Sequence, residues 1–213
     1  MLYLDHAATT VVRPEVRDAM APFLNDAFGN PSGVHDVSRR AKNAMEEARE
    51  RAAQLLGADR PLEIVFTGGG TEADNLAVIG AALADNMRRR VVTTAIEHEA
   101  VLESAHFAGR LGCEVVVVGV DAAGRVDPHD IAAACDETAV VSVMAANNET
   151  GAIQPLPEIA ALIKTIDGAV FHTDAVQAFI SEEVTVLNTG ADMISIAAHK
   201  LGGPKGAGLL YVR

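Results

Sequence analysis

The chain has no tryptophan, and aromatic residues of all kinds make up only 4% of it. That scarcity argues against the stacked aromatic platforms that hold single-stranded nucleic acid. Cysteine is nearly as rare, with only Cys113 and Cys135, and no CxxC pair. A disulfide scaffold and a cysteine-based zinc site are therefore excluded. Basic residues are outnumbered, 17 Lys and Arg against 29 Asp and Glu, for a net charge of −12. Such a chain is a poor match for nucleic acid or an anionic membrane surface. Long apolar runs are missing too. Val115 to Val118 is typical, far short of a membrane-spanning helix. The opening MLYLDHAATT carries neither a basic region nor an apolar stretch of secretory length. The expectation is a soluble protein of a reducing cytoplasm, with no metal, nucleic acid or membrane partner.

What is present is ordinary globular material: 213 residues, 49% of them apolar and 22% charged. That length suits one large domain or two small ones and buries roughly 70% of the unfolded surface. Arg13-Pro14 opens a helical stretch to about Ala27, with Pro in the first turn. A longer one runs from Asp36, a plausible N-cap, to Leu56 and stops at Gly57. Strand-like runs follow at Leu62–Phe66, Val91–Thr94, Val115–Val120, Ala139–Met144, Ala169–His172, Met193–Ile196 and Leu209–Val212. Ala-rich segments of helical period separate most of them. Strand and helix alternating at this spacing predict parallel crossovers and an α/β sheet covered on both faces.

Two features fit a complete domain poorly. The last strand, GLLYVR, has no covering helix after it, and the first residues have no evident partner element. The expectation is a shortened chain with exposed apolar surface around Leu209, Leu210 and Tyr211.

In open α/β sheets ligands bind beyond the C-terminal ends of the parallel strands, so the residues after each strand carry the functional reading. Leu62–Phe66 is followed by Thr67-Gly68-Gly69-Gly70-Thr71-Glu72. A glycine run opening a helix offers backbone amides and a positive dipole end to a phosphate. It matches neither GxGxxG nor GxxxxGK[ST], and a turn that merely reverses the chain would look the same. Val91–Thr94 is followed by Glu97-His98-Glu99, whose His points into the crevice or is simply structural. Ala139–Met144 is followed by Asn147-Asn148, amides that donate to a ligand or make a turn. Ala169–His172 leads to Asp174 and Gln177. An acid at the end of a buried strand is costly to ionise unless it meets a cation. Met193–Ile196 leads to His199-Lys200-Leu201-Gly202-Gly203-Pro204-Lys205. A lysine between a buried strand and a Gly/Pro turn can have a lowered pKa and form a Schiff base. Together these groups meet the needs of pyridoxal phosphate: a lysine for its aldehyde, a carboxylate for its pyridine nitrogen and a helix N-terminus for its phosphate.

The stretches YLDHAATT, GNPSGVH, FTGGGTEADN, IEHEAVLE, NNETGAIQP, HTDAVQA and AHKLGGPKGAG resemble the N-terminal part of a cysteine desulfurase, in the class V aminotransferase group of pyridoxal-phosphate enzymes. They span nearly the whole chain. The subgroup most resembled feeds iron–sulfur cluster assembly and transfer-RNA thiolation. The resemblance implies an aspartate-aminotransferase-like large domain over 1–213, incomplete, with a mainly parallel seven-stranded sheet and the C-terminal small domain absent. It implies a homodimer, L-cysteine as substrate, and a sulfur-acceptor protein, either an iron–sulfur scaffold or a sulfur carrier. By the same resemblance Lys200 is the Schiff-base lysine and Asp174 the acid that keeps the pyridine nitrogen protonated. His98 stacks on the ring and moves protons. Gln177 and Asn148 donate to the ring hydroxyl. Thr71 and the Gly70 amide anchor the phosphate, helped by His199.

Two departures stand out. The family usually has Ser three residues before the lysine, where this chain has Ala197. The family's nucleophilic cysteine, substrate-binding arginine and phosphate-binding threonine loop have no counterpart in these 213 residues. Cys113 and Cys135 read as small buried hydrophobes. The expectation is little turnover from this chain alone. The rival readings are another class V enzyme, an aminotransferase or a selenocysteine lyase, and a catalytically incompetent fragment.

Overall fold

A computed structural model describes residues 2–84 and 87–213. Among them seven strands form one sheet: β1 (Ile64–Thr67), β2 (Arg90–Thr94), β3 (Glu114–Val118), β4 (Thr138–Ser142), β5 (Val170–Asp174), β6 (Met193–Ala197) and β7 (Gly208–Val212). Their order is β1-β7-β6-β5-β4-β2-β3. The pairs β3–β2, β2–β4, β4–β5 and β5–β6 are parallel, while β7 runs antiparallel to both β6 and β1. The mainly parallel seven-stranded sheet is as expected.

Each strand divides its side chains between two apolar layers because successive residues point to opposite faces. Val91, Val140, Met193 and Leu210 pack with Ala73, Ala77, Val78, Val101 and Ala105 from α3 (Gly70–Ala84) and α4 (Glu99–Arg110). Their chain neighbours Val92, Val141, Ile194 and Tyr211 face the other way. There they join Leu56, Ile131, Ile159 and Ile163 from α2 (Asp36–Leu56), α5 (Pro128–Ala134) and α6 (Leu156–Ile163). A short α7 (Val186–Thr189) precedes β6, and α1 (Pro14–Leu24) has no buried residue.

Several expectations need correction. The final strand is not an uncovered edge. It lies inside the sheet between β1 and β6, with Leu210 and Tyr211 buried and Leu209 half-buried. Its hydrogen bonds are used on both sides, which a scan for parallel crossovers does not reveal. The first residues do have partners: Thr10 N–H donates to the His199 carbonyl at 2.9 Å, and Arg13 N–H to the Gly202 carbonyl at 2.9 Å. Leu62 is not in a strand, because Pro61–Glu63 forms a 3-10 turn that leaves it exposed. The first helix ends at Leu24, not Ala27. Asp36 begins α2, as expected, but the cap is His35, whose ring accepts from the Ser38 N–H. Gly57 closes that helix in the left-handed conformation, as read.

Candidate active site

The C-terminal ends of β1, β2, β4, β5 and β6 border a cavity of about 230 Å³. The chain steps outward from β2 to β3 and then returns past β2 to β4. Such a switch in strand order opens a crevice at the strand ends. All the predicted site residues line that cavity: Gly70, Thr71, His98, Asn148, Asp174, Gln177, His199 and Lys200.

The phosphate-loop candidate is the turn from β1 into α3. Thr67 Oγ1 donates to the Gly69 carbonyl at 2.9 Å, and the Glu72 carboxylate accepts from Gly68 N–H at 2.6 Å. The first helical bond runs from Ala73 N–H to the Gly69 carbonyl. The amides of Gly70, Thr71 and Glu72 therefore precede the ladder and stay free for a ligand. Gly70 is required by space, since a Cβ there would stand 2.9 Å from Val176 Cγ2.

Lys200 ends a 3-10 turn, Ala198–Lys200, directly after β6. The N-terminal segment clamps this turn. Thr10 Oγ1 donates to the His199 carbonyl at 2.8 Å and accepts from Gly202 N–H at 2.8 Å. His199 Nδ1 pairs with Thr9 Oγ1 at 3.2 Å. Gly202 has φ +76°, a conformation that favours glycine. Half-burial pushes the Lys200 pKa down, against the pull of Asp174 and Asp5. Burial, with Lys200 and Lys205 nearby, also lowers the His199 pKa.

Asp174 ends β5 and is buried; its Oδ1 accepts from Val176 N–H at 2.8 Å. Burial raises its pKa, while that hydrogen bond, His98 and Lys200 pull it back. Gln177 has a buried Oε1 without a hydrogen-bond partner. His98 caps α4: its Nδ1 accepts from Ala100 N–H at 3.0 Å, which leaves Nε2 to carry the proton of the neutral ring. The two asparagines separate in role. Asn147 is structural, its Oδ1 accepting from Glu149 N–H and Thr150 N–H at 2.9 and 2.8 Å. Asn148 reaches the cavity.

Sequence reasoning missed a buried polar layer beneath the site. Asp74, in the first turns of α3, is 1% exposed and lines the cavity. Burial and the neighbouring Asp174 push its pKa up to about 9, with Ser195 pulling the other way. Glu97 is buried against Thr94 Oγ1 and Met144 N–H, which donate to it at 2.6 and 2.9 Å. Burial raises its pKa to about 8. His172 lies fully buried between Ser142 Oγ at 2.8 Å and Ser195 Oγ at 2.9 Å, and burial drops its pKa to about 3. One available signal was that His172 stands two residues before Asp174 on one strand, hence on the same face.

Neither cysteine lines the cavity. Cys113 Sγ is directed at the Ala82 carbonyl. Cys135 Sγ donates to the Ile131 carbonyl at 3.1 Å, and burial raises its pKa. No group of His, Cys, Asp and Glu among the described residues could hold a metal ion, and no helix there is long and apolar enough to cross a membrane.

The donor set fits pyridoxal phosphate. A lysine with a depressed pKa, a buried carboxylate, an orphaned amide oxygen and a helix N-terminus share one cavity, each suited to a different part of that cofactor.

Comparison with known proteins identifies the family. The family described as aminotransferase class V matches residues 2–213. The chain is 47% identical to cysteine desulfurase IscS of Dictyoglomus turgidum, covering 100% of this chain and 54% of that protein. It is 43% identical to cysteine desulfurase NifS of Azotobacter vinelandii, covering 100% of this chain and 53% of that protein. Among solved structures, SspA in complex with cysteine superposes with a TM-score of 0.95 at 38% identity, covering 100% of this chain and 61% of that one. A NifS-like protein gives 0.95 at 37%, covering 100% of this chain and 59% of that one. The chain thus spans about half the length of the curated relatives it matches.

Proposed function

The chain belongs to the class V aminotransferase family, and from that premise we propose that residues 1–213 form the pyridoxal-phosphate-binding domain of a cysteine desulfurase. The observation that carries this reading is the single cavity onto which Lys200, Asp174, His98 and the Gly70–Thr71 turn converge. When bound, pyridoxal phosphate supplies an aldehyde that takes up amino groups and a ring that withdraws electron density from the adjacent carbon.

The chain's own groups serve that chemistry as follows. Lys200 would hold the cofactor, and burial eases loss of its ammonium proton so that its amine can work as a base at the substrate α-carbon. Asp174 would supply the carboxylate for the ring nitrogen. His98 presents Nε2–H for proton traffic. Gln177 and Asn148 would hydrogen-bond the ring hydroxyl. The free amides of α3, with Thr71 and His199, would hold the phosphate. L-Cysteine and an acceptor thiol would give L-alanine and a persulfide. The acceptor thiol comes from outside these residues, because Cys113 and Cys135 are directed at backbone carbonyls away from the cavity. Delivery to an iron–sulfur scaffold or sulfur carrier, a homodimeric assembly and a cytoplasmic location belong to the same reading. They rest on the resemblance alone; the names of the relatives support the desulfurase reading itself.

The test is an assay of the reconstituted chain with cysteine, alone and with the C-terminal half of a close relative in trans. Alanine and sulfide formed on adding that half support the reading. Keto acid formation in their place would assign an aminotransferase.

A further inference from the structure

Two buried carboxyls line the cavity, Asp174 from β5 and Asp74 from α3, and a third, Glu97 after β2, is buried within electrostatic reach of both. Like charges this close in a dry site cannot all be ionised. Their surroundings differ. Asp174 accepts the Val176 N–H, and Lys200 and the His98 ring beside it favour its charged form. Among the described residues Asp74 has no such backbone donor or basic partner, and only the Ser195 hydroxyl favours its charged form. Its Oδ1 is buried without a hydrogen-bond partner. The nearest basic group is His172, whose Nε2 lies 3.7 Å from that oxygen, too far for a hydrogen bond. His172 is fully buried, and both its ring nitrogens are already paired with Ser142 and Ser195. A charged imidazole there is disfavoured, so the contact is not an ion pair. Among the described residues no Lys or Arg is ion-paired with Asp74.

We propose that Asp74 is a positioning residue for Asp174: a neutral carboxylic acid that, with His172, Ser142 and Ser195, closes the floor of the cavity and leaves Asp174 the carboxyl that ionises first. This rests on the reading of Asp174 as the partner of the cofactor's ring nitrogen. A second full charge on Asp74 would push the Asp174 proton back on. The groups facing Asp74 are Asp174 and His172 from β5, Ser195 from β6 and Glu97 from the turn after β2. Lys200, His98 and His199 stand around the same cavity. The chain thereby carries its fixed negative charge where the ring nitrogen would sit, and spends none of it one layer deeper.

The test needs no cofactor for its first half. Infrared difference spectra of the apo chain, wild type minus Asp74→Asn and wild type minus Asp174→Asn, follow the protonated-carboxyl C=O band from acid to alkaline pH. Glu97→Gln identifies the third carboxyl. The Asp74 band should persist at neutral pH and fade after that of Asp174. If it fades first, the proposal is overturned. Carbon-13 labelling of the aspartate carboxyls in the wild-type chain gives the same order without any substitution. In the second half, Asp74→Ala should weaken pyridoxal phosphate binding at least tenfold and Asp74→Asn should recover most of it. Equal loss in both variants would overturn the assignment. A wild-type chain that takes up no pyridoxal phosphate would instead overturn the reading of the site, and the order of ionisation would still decide the role of Asp74.

Discussion

Lys200 Nζ donates a hydrogen bond to the backbone carbonyl of Ala7, across 193 positions of sequence. The N-terminal segment is thus a wall of the site, and Ala8 lines the cavity beside the lysine. Thr10 ties the two together through its hydroxyl, which serves the His199 carbonyl and the Gly202 amide at once.

Replacing Thr10 with Val keeps the shape and removes both bonds. Each is worth about 0.5–1.5 kcal/mol net, so the variant should lose about 1–3 kcal/mol in urea unfolding. Pyridoxal phosphate binding should weaken as well, because the turn that carries Lys200 loosens. Unchanged stability together with unchanged binding would show that the clamp is idle.

Ala197 stands beside the helix turn that would take the phosphate, its Cβ 3.5 Å from where a Gly70 Cβ would be. Ala197→Ser restores a hydroxyl at a position that is only 1% exposed. With phosphate present, a bond to a charged group contributes about 1.5–3 kcal/mol, so affinity should rise about tenfold or more. Without it, the buried hydroxyl lacks a partner, and the apo chain should melt no higher than wild type. A fall in affinity would place the phosphate elsewhere.

Stability should fall as pH rises above neutrality. Glu97 and Asp74 keep their protons in the folded chain to about pH 8 and about pH 9, far above their values in the unfolded chain. Above pH 7 the unfolded state has already lost those protons, so raising pH favours unfolding. The slope is about 1.4 kcal/mol per pH unit for each carboxyl still protonated in the fold. The decline ends once each folded pKa is passed. His172 acts on the other side: its depressed pKa removes stability as pH falls below about 6.5. Urea melts across this range should show a flatter alkaline limb in Glu97→Gln. An identical limb would mean that Glu97 is ionised in the fold.

The contrast between Asp174 and Asp74 shows how far sequence carries. Asp174 follows a run of buried-strand residues, and a chemical need for a carboxylate there could be read directly. Asp74 lies within a helix of small residues, where nothing local distinguishes a buried acid from a solvated one; only packing of α3 on β5 and β6 hides it. The strands were legible because each apolar run alternates between two cores, as Val91 and Val92 do. The place of β7 was not, since Leu209–Val212 reads the same at an edge or in the middle of a sheet. Its antiparallel pairing with β1 joins residues as far apart in sequence as Ile64 and Tyr211.

The most direct test of the account is the chemical identity of the lysine that holds the cofactor. The purified chain is incubated with pyridoxal phosphate, reduced with borohydride and digested, and the modified peptide is sequenced. The account predicts visible absorbance before reduction and a single modified residue, Lys200, in the peptide that continues β6. Modification at Lys205, or scattered over surface lysines with no preference for Lys200, would contradict it.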